Sequence, residues 1–451
     1  MSTRFTIDGS DALENQLART CADILDGVRS IIPPQKLQAM VLAGGYGRGE
    51  GGVLKTDQGD QPYNDLEFYL LLDGNRLLNE RRYQQSLHQL SASLSPSAGL
   101  QVEFKIDSLP RLRRATISMF TYDLVAAHRI VFGSETLFNG CEHHLKAAKI
   151  PSAEATRLLF NRCTGLLLAK EMLRQQSLSA TQADFIGRNT AKAELAFGDA
   201  VLTVFGQYHW SAIERHRRLS RLVSSITFHE PLSTLGAPPS LAATEKLLPL
   251  LDVIRQHHAA GLEFKLHPRR ACEAGASCSD HHPERMEITQ PRVARNELSW
   301  DNRLNARYPE RVTSGWQGSR GDTREALENR HHQVSALALQ LWLALESRRL
   351  NCNFDSAQAY TFHAGKKCAN GSVPRNYLLN LRTFGPRTAL NPMARRYHRE
   401  RLLNSLPLLL WNGEVSKEPA ITRHLQRQLQ TEGSDWPGFV AAYKQIWPNY
   451  G

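Results

Sequence analysis

The chain has 451 residues, of which 41% are hydrophobic and 22% charged, and its formal net charge is +11. This length supports two or three domains with their own cores, and the composition is that of an ordinary globular protein. No stretch stays apolar for the ~20 residues of a transmembrane helix, and the first residues lack the apolar core of a secretory signal. Seven cysteines, an odd number, argue against a disulfide framework. These features predict a cytoplasmic protein with reduced thiols and no membrane partner, and the positive charge favours anionic partners such as nucleotides.

Helical and strand patterns alternate in the first third of the chain. Apolar residues at helical spacing predict a helix over residues 11–31, within an N-terminal segment 1–34 that packs on the core. A second helix is predicted over residues 77–93. Three apolar segments predict strands, at residues 38–45, 64–72 and 100–107. We therefore expect an α/β domain over residues 35–150.

A glycine-rich turn follows the first predicted strand, in residues 44–50 (GGYGRGE). A backbone that wraps an anion closely needs positive φ angles and no Cβ, and glycine provides both at low cost. We therefore predict that Gly44, Gly45 and the neighbouring amides bind phosphate oxygens. The Arg48 guanidinium would add two parallel hydrogen bonds to the same phosphates.

Other interpretations of these glycines are weaker. Residues 47–52 satisfy the G-x-G-x-x-G spacing of dinucleotide-binding folds, but residues 54–62 form a polar segment, predicted as a loop, where that fold requires a helix with an apolar face. A Walker-type loop is excluded because no G-K-[ST] follows the glycines. The alternative that remains is a flexible hairpin tip without a ligand.

Two carboxylates, Asp65 and Glu67, alternate at the start of the second predicted strand. Alternate residues of a strand project to the same face, so these two acids lie side by side. A cation between them relieves their repulsion, and Mg²⁺ takes carboxylate oxygens together with substrate phosphate oxygens. The pattern predicts a divalent-metal site. The alternative is an exposed strand face that carries two acids by chance.

The apolar strand, the glycine turn at residues 44–50 and the acid-apolar-acid strand from Asp65 to Glu67 together resemble the signature of the DNA polymerase beta-like nucleotidyltransferase superfamily. The likeness is greatest to its minimal and small-molecule (antibiotic-type) members with a helical second domain, and it covers about residues 38–135. Two departures stand out. Residues 46–64 form a longer connection than is usual, which implies an inserted hairpin around residues 57–61, and Glu67 stands where Asp is commoner.

The resemblance implies a third carboxylate on a later strand. Glu103 is the candidate because it lies mid-strand, while Asp107 near the following turn is the other choice; an ordinary amphipathic strand is the alternative to both. In this interpretation Asp65, Glu67 and Glu103 hold Mg²⁺ or Mn²⁺, and the substrate is an NTP, with ATP expected. The implied enzyme transfers a nucleoside monophosphate to an acceptor, with a small-molecule hydroxyl favoured, and releases pyrophosphate. An inactive nucleotide-binding or scaffold module, or a transferase acting on protein or RNA, remains open.

Long helices are predicted after Pro151, at residues 153–175 and 182–207, within a helical domain over 151–265. Arg188 and Lys192 are four residues apart and share a face of the second helix. In nucleotidyltransferases with a helical second domain, that domain closes over the nucleotide. The resemblance therefore makes these two side chains candidate phosphate contacts. The alternative is a face in contact with water.

The last part of the chain carries fewer signals. Residues 266–330 predict an irregular connection, whose Cys272, Cys278, His281 and His282 could bind zinc but lack the C-x2-C pairing of structural zinc sites. Residues 331–451 predict a helical region, with a buried helix from Val334 to Leu345, a helix over 401–411 broken by Pro407, and a solvated basic turn from His363 to Lys367. The fold class expected is α+β, in which a small mixed-sheet nucleotidyltransferase core precedes a mainly α-helical bundle.

Overall fold

The computed structural model describes residues 4–227, 246–269, 324–368, 372–412, 415 and 418–447. Contacts divide the chain into two compact units. Unit 1 comprises Met1–Ala155, Gly198–Pro239 and Leu251–Arg269, and unit 2 comprises Thr156–Phe197, Ser240–Leu250 and Arg270–Gly451. The candidate zinc ligands and most of the predicted connection over 266–330 lie outside the described residues. The predicted domain ranges stay predictions.

A small mixed sheet forms the centre of unit 1. The strands of this unit are β1 (Leu37–Leu42), β2 (Val53–Thr56), β3 (Gly59–Pro62), β4 (Leu66–Leu72), β5 (Val102–Asp107) and β6 (Arg129–Phe132). Four of them make one sheet in the order β5-β4-β1-β6, in which β1 is antiparallel to both neighbours and β4 is parallel to β5. The three strands predicted from the sequence are confirmed, with each beginning and ending within a few residues of its predicted bounds. The α+β class with a small mixed sheet is confirmed for the described residues.

Helices make up most of the remaining described structure. In chain order they are α1 (Asp11–Ile31), α2 (Gly44–Gly47), α3 (Arg76–Ala98), α4 (Leu109–Arg114), α5 (Met119–Ala126), α6 (Ala153–Leu173), α7 (Ala180–Val204), α8 (Ala212–Thr227), α9 (Leu251–Leu266), α10 (Arg324–Leu350), α11 (Ala357–Phe362), α12 (Val373–Phe384), α13 (Arg399–Leu403), α14 (Leu406–Trp411), α15 (Pro419–Leu429) and α16 (Trp436–Ile446). Helix α1 starts at Ser10, whose side chain accepts a hydrogen bond from the Leu13 amide. Its apolar stripe packs into the same core as the sheet, as predicted. None of the described helices is long and apolar enough to cross a bilayer.

A β-hairpin stands between the glycine turn and the acidic strand. Strands β2 and β3 pair antiparallel, from Val53 opposite Pro62 to Thr56 opposite Gly59. The prediction of a polar loop over residues 54–62 was therefore wrong, because the two-residue turn brings the flanking backbone groups into a hydrogen-bonded ladder despite their polar side chains. The hairpin expected around residues 57–61 is confirmed.

Three sequence predictions on unit 2 have different outcomes. The buried helix predicted from Val334 to Leu345 is confirmed as part of α10, and Pro407 lies in the first turn of α14, where its missing N–H is tolerated. The solvated basic turn was wrong at Lys367. Its buried ammonium donates to the Thr361 carbonyl at 2.9 Å and to the Asn404 side chain. Asn404 is 37 residues away, and the local sequence does not reveal that contact.

Candidate active site

Three carboxylates converge at one point of the central sheet. Because β4 and β5 are parallel and in register, Glu67 lies opposite Glu103. Asp65 precedes β4 and is two residues from Glu67, which places both on one face. Carboxylate oxygens of Asp65, Glu67 and Glu103 all lie within 4.8 Å of one another, and each side chain is partly exposed. The structure therefore brings together the three acids singled out in the sequence, which we call the acid cluster.

The other candidate for the third acid lies apart from the acid cluster. Asp107 is paired with Leu71 in the β4–β5 register and its side chain is fully buried. It forms an ion pair with Arg111 at 2.5 Å and accepts a hydrogen bond from the Ser108 amide at 2.8 Å. These contacts give Asp107 a structural role at the start of α4, and Glu103 is the acid that joins Asp65 and Glu67.

A lysine that the sequence analysis did not single out bridges the acid cluster. The Lys105 ammonium lies 3.2 Å from Glu67 Oε1 and 3.4 Å from Glu103 Oε2. Strand alternation already places Lys105 on the same face as Glu103, which is the signal that could have found it. The parallel pairing with β4 supplies the second contact, and that pairing is invisible in the local sequence.

Glu103 has an unusual protonation equilibrium. Burial raises the pKa of its carboxyl from 4.5 to about 7. The Lys105 ammonium opposes this rise in pKa, whereas the negative charges of Asp65 and Glu67 add to it. Burial and the neighbouring carboxylates thus outweigh the effect of Lys105 on the pKa of Glu103.

The glycine turn lies directly beside the acid cluster. Gly44 has a φ of +67°, a conformation that residues with a Cβ rarely adopt, and a Cβ there would lie 3.4 Å from Glu67 Oε2. At Gly47 a Cβ would lie 2.2 Å from the Leu42 carbonyl oxygen, so a side chain cannot be accommodated. The Ala43 amide donates to the Glu67 carbonyl at 2.9 Å, which ties the start of the turn to β4. Gly45 lies within the same short helix α2.

Arg48, predicted to bind phosphate, has an acidic partner within unit 1. Its Nη1 donates to Asp123 Oδ2 at 2.7 Å, and its side chain is only 13% exposed. Asp123 also accepts a hydrogen bond from the Tyr208 hydroxyl at 3.1 Å. Through this ion pair, Arg48 helps to fix the end of the glycine turn. Its contact with phosphate stays a prediction.

The ion pair of Arg48 is continued by further buried charges in unit 1. Arg215 lies 2.6 Å from Asp199 Oδ1, and its Nη1 donates to the Tyr208 hydroxyl at 3.3 Å. Burial alone would raise the pKa of Asp199, but Arg215 and His258 outweigh burial and lower it. We call the set the buried network, and it consists of Arg48, Asp123, Tyr208, Arg215 and Asp199. Its members come from distant parts of the chain, and the sequence analysis did not identify it.

Glu50, the last residue of the predicted glycine motif, anchors the turn. Its carboxylate accepts hydrogen bonds from the Ser211 hydroxyl at 2.5 Å and from the Ala212 amide at 2.9 Å. The Lys265 ammonium lies 3.7 Å from the same carboxylate and donates to the Glu50 carbonyl at 2.7 Å. Burial lowers the pKa of Lys265 to about 8, which Glu50 counteracts. Residues from α8 and α9 therefore hold the segment that follows the glycines.

The two cationic residues predicted on α7 belong to unit 2. The Arg188 guanidinium pairs with Asp184, one turn earlier on the same helix, at 2.9 Å. Lys192 is partly buried on the next turn. Their predicted role as phosphate contacts stays a prediction.

The donor set of the acid cluster suits a divalent cation. Three carboxylates offer the hard oxygen ligands that Mg²⁺ and Mn²⁺ prefer. The Lys105 ammonium already stands between two of them as a cation. No protein-family model matches the chain, and the same is true of curated proteins and of solved structures. The functional interpretation therefore depends on the chemistry of these residues.

Proposed function

We propose that this protein is a metal-dependent nucleotidyltransferase, which transfers a nucleoside monophosphate from an NTP, with ATP expected, to a small-molecule hydroxyl and releases pyrophosphate. The observation that carries the proposal is the convergence of Asp65, Glu67 and Glu103 directly beside Gly44. A metal site adjacent to a turn without side chains at Gly44 and Gly45 would suit a metal-bound triphosphate.

Each part of the site has a distinct task in this reaction. Asp65, Glu67 and Glu103 would hold two Mg²⁺ or Mn²⁺ ions. When bound, such ions polarise the acceptor oxygen and neutralise charge on the leaving pyrophosphate. The absence of a side chain at Gly44 and Gly45 would let phosphate oxygens approach the backbone amides. The protein's own contribution is chiefly positioning and charge stabilisation, because phosphoryl-type transfers need little covalent help from side chains.

The acceptor is proposed from the size of the helical part of the chain. Most described residues beyond 150 are in helices rather than in a recognition module for RNA. A helical region of this size can form a pocket for a small acceptor. Protein and RNA acceptors are the other substrates to include in a screen.

A second candidate function is a catalytically inactive nucleotide-binding or scaffold module of the same fold. One observation favours it: the Lys105 ammonium neutralises part of the acid cluster without any metal. A thermal-shift assay separates the two functions. An enzyme is stabilised by ATP only together with Mg²⁺ or Mn²⁺, whereas a module that uses Lys105 in place of metal is stabilised by ATP alone.

The decisive experiment measures pyrophosphate release from radiolabelled NTPs with Mg²⁺ or Mn²⁺ and a panel of acceptors. We expect Asp65→Asn to lower the rate at least about 100-fold, because it removes a metal ligand at the reacting centre. Asp73→Asn is the matched control, since Asp73 lies just beyond the other end of β4, is 59% exposed and pairs with Lys36. Absence of metal-dependent release with every NTP and acceptor, or equal rates for Asp65→Asn and wild type, would contradict the proposal.

A further inference from the structure

The Lys105 ammonium contacts Glu67 and Glu103, two of the three carboxylates that would hold a metal ion. Lys105 and Glu103 are two residues apart on β5, and Glu67 faces Glu103 from β4. We propose that Lys105 is a built-in competitor for these two carboxylates, so that the nucleotide-free protein binds metal weakly and the metal arrives together with the nucleotide. This inference rests on the proposed function and concerns the order in which metal and nucleotide bind to the acid cluster.

The contacts of Lys105 make competition unavoidable. Its Nζ lies 3.2 Å from Glu67 and 3.4 Å from Glu103, and its side chain is 13% exposed. The two carboxylates stabilise an ammonium that has so little access to water. A divalent ion bound by the same oxygens would lie within a few ångströms of that ammonium, and the two cations would repel strongly in a partly desolvated site. Metal binding therefore requires Lys105 to move.

The ring of Tyr69 already lies beside the Lys105 ammonium. Tyr69 is its partner in the β4–β5 register, and the ring centroid of Tyr69 lies 5.8 Å from Nζ. The face of an aromatic ring attracts an ammonium, so a small rotation of the lysine side chain retains a favourable contact. A triphosphate provides a still better partner, because it adds negative charge at the moment the metal neutralises the carboxylates. The metal–nucleotide complex can thus displace Lys105 more easily than the free metal can.

Metal binding without nucleotide tests this inference independently of turnover. Mn²⁺ affinity is measured by electron paramagnetic resonance and by calorimetry on the full chain, at one pH and ionic strength. We expect Lys105→Met to bind Mn²⁺ about tenfold more tightly than wild type, because the competing charge is gone. Lys105→Arg keeps that charge and should stay within about twofold of wild type. A non-hydrolysable ATP analogue should narrow the difference between Lys105→Met and wild type.

The matched control is Lys55→Met, which removes the same charge from the hairpin of the same unit. Lys55 is 53% exposed and pairs with Asp60. Equal Mn²⁺ affinities of wild type and Lys105→Met overturn the inference, as does an equal gain in Lys55→Met, which would indicate a general charge effect. Thermal melting checks that each variant folds, and Lys105→Gln replaces Lys105→Met if the latter does not.

The proposed function fails in a different way from the inference. If neither wild type nor Lys105→Met binds Mn²⁺, with or without the ATP analogue, the acid cluster is not a metal site and the proposed function is contradicted. If wild type binds Mn²⁺ as tightly as Lys105→Met and Asp65→Asn abolishes that binding, the metal site is retained and only the competition by Lys105 is rejected.

Discussion

Unit 1 contains two groups of charges that are arranged in opposite ways. In the buried network, two guanidiniums, Arg48 and Arg215, face two carboxylates, Asp123 and Asp199. In the acid cluster, three partly exposed carboxylates lie within 4.8 Å of one another, and the Lys105 ammonium contacts two of them. Each carboxylate of the first group is paired with a guanidinium, whereas in the second group the negative charges of Asp65 and Glu67 add to the raised pKa of Glu103.

The difference separates paired charges, which hold structure, from charges whose mutual repulsion costs stability. Buried ions survive in a protein only when they are paired, and removal of one partner leaves an uncompensated charge. Like charges that lie close together destabilise the folded protein. Proteins retain such arrangements mainly at sites where function requires them. The comparison therefore predicts opposite effects on stability when a residue is neutralised in each group.

The largest expected effect comes from breaking the buried network. Arg215→Met should lower the free energy of unfolding by about 3 to 5 kcal/mol, because it leaves Asp199 buried without its main counter-ion. Denaturation by urea measures this change. Arg217→Met is the control, since Arg217 is 69% exposed and should change stability by less than about 0.5 kcal/mol. Similar losses in both variants would show that Arg215 has no special structural role.

Neutralising the acid cluster should stabilise the protein. The folded pKa of Glu103, about 7, is above its ordinary value of 4.5. The folded protein therefore binds more protons than the unfolded one between these two pH values, and the free energy of unfolding falls as the pH rises from about 4.5 to about 7. Glu103→Gln lacks this titration and should be more stable than wild type by about 1 to 2 kcal/mol at pH 8, with no gain at pH 4.5.

Urea denaturation across pH 4.5 to 8 provides the measurement of that gain. Glu135→Gln is a suitable control, because Glu135 is an exposed carboxylate of the same unit. The same variant, Glu103→Gln, should also weaken Mn²⁺ binding, since it removes a ligand. A destabilised Glu103→Gln at pH 8 would mean that the Glu103–Lys105 pair contributes more than the repulsion within the acid cluster.

The smallest effect on stability is expected at the glycine turn. Gly44→Ala should cost about 1 kcal/mol because alanine disfavours the φ of +67°. Gly99 has a φ of +68° with nothing near its missing Cβ, so Gly99→Ala carries the same backbone penalty away from the site. Only Gly44→Ala should also reduce stabilisation by ATP and metal in a thermal-shift assay. An equal response of both variants would remove the glycine turn from the nucleotide site.

Local patterns predicted part of the candidate site. The alternation of Asp65 with Glu67 defined a shared face, whereas a third acid was expected only from the family resemblance, and Glu103 was chosen over Asp107 by its position in the strand. Alternation is a property of a single strand, so it can be seen without the fold. It does not reveal which strand becomes the neighbour, and for that reason the bridging contact of Lys105 was missed.

The ion pairs and hydrogen bonds that hold the glycine turn could not be predicted from the sequence, for a related reason. Arg48 pairs with Asp123, 75 residues away, and Lys265 reaches Glu50 across 215 residues. Charged residues are frequent throughout the chain, and their individual partners depend on the final packing. An arginine after a glycine turn therefore suggests a phosphate contact, while its actual partner in this structure is a buried carboxylate.

The discontinuous make-up of unit 1 limits how the protein can be dissected. A fragment that ends near residue 150 would contain the glycine turn and all three carboxylates, yet it would lack Arg215 of α8 and Lys265 of α9. Glu50 would then lose Lys265, and Asp123 would keep Arg48 but lose the nearby charge of Arg215. The shortest stretch that carries the sequence signature therefore lacks part of its own structural support. Such a fragment should keep the three carboxylates and the glycine turn but hold them less rigidly.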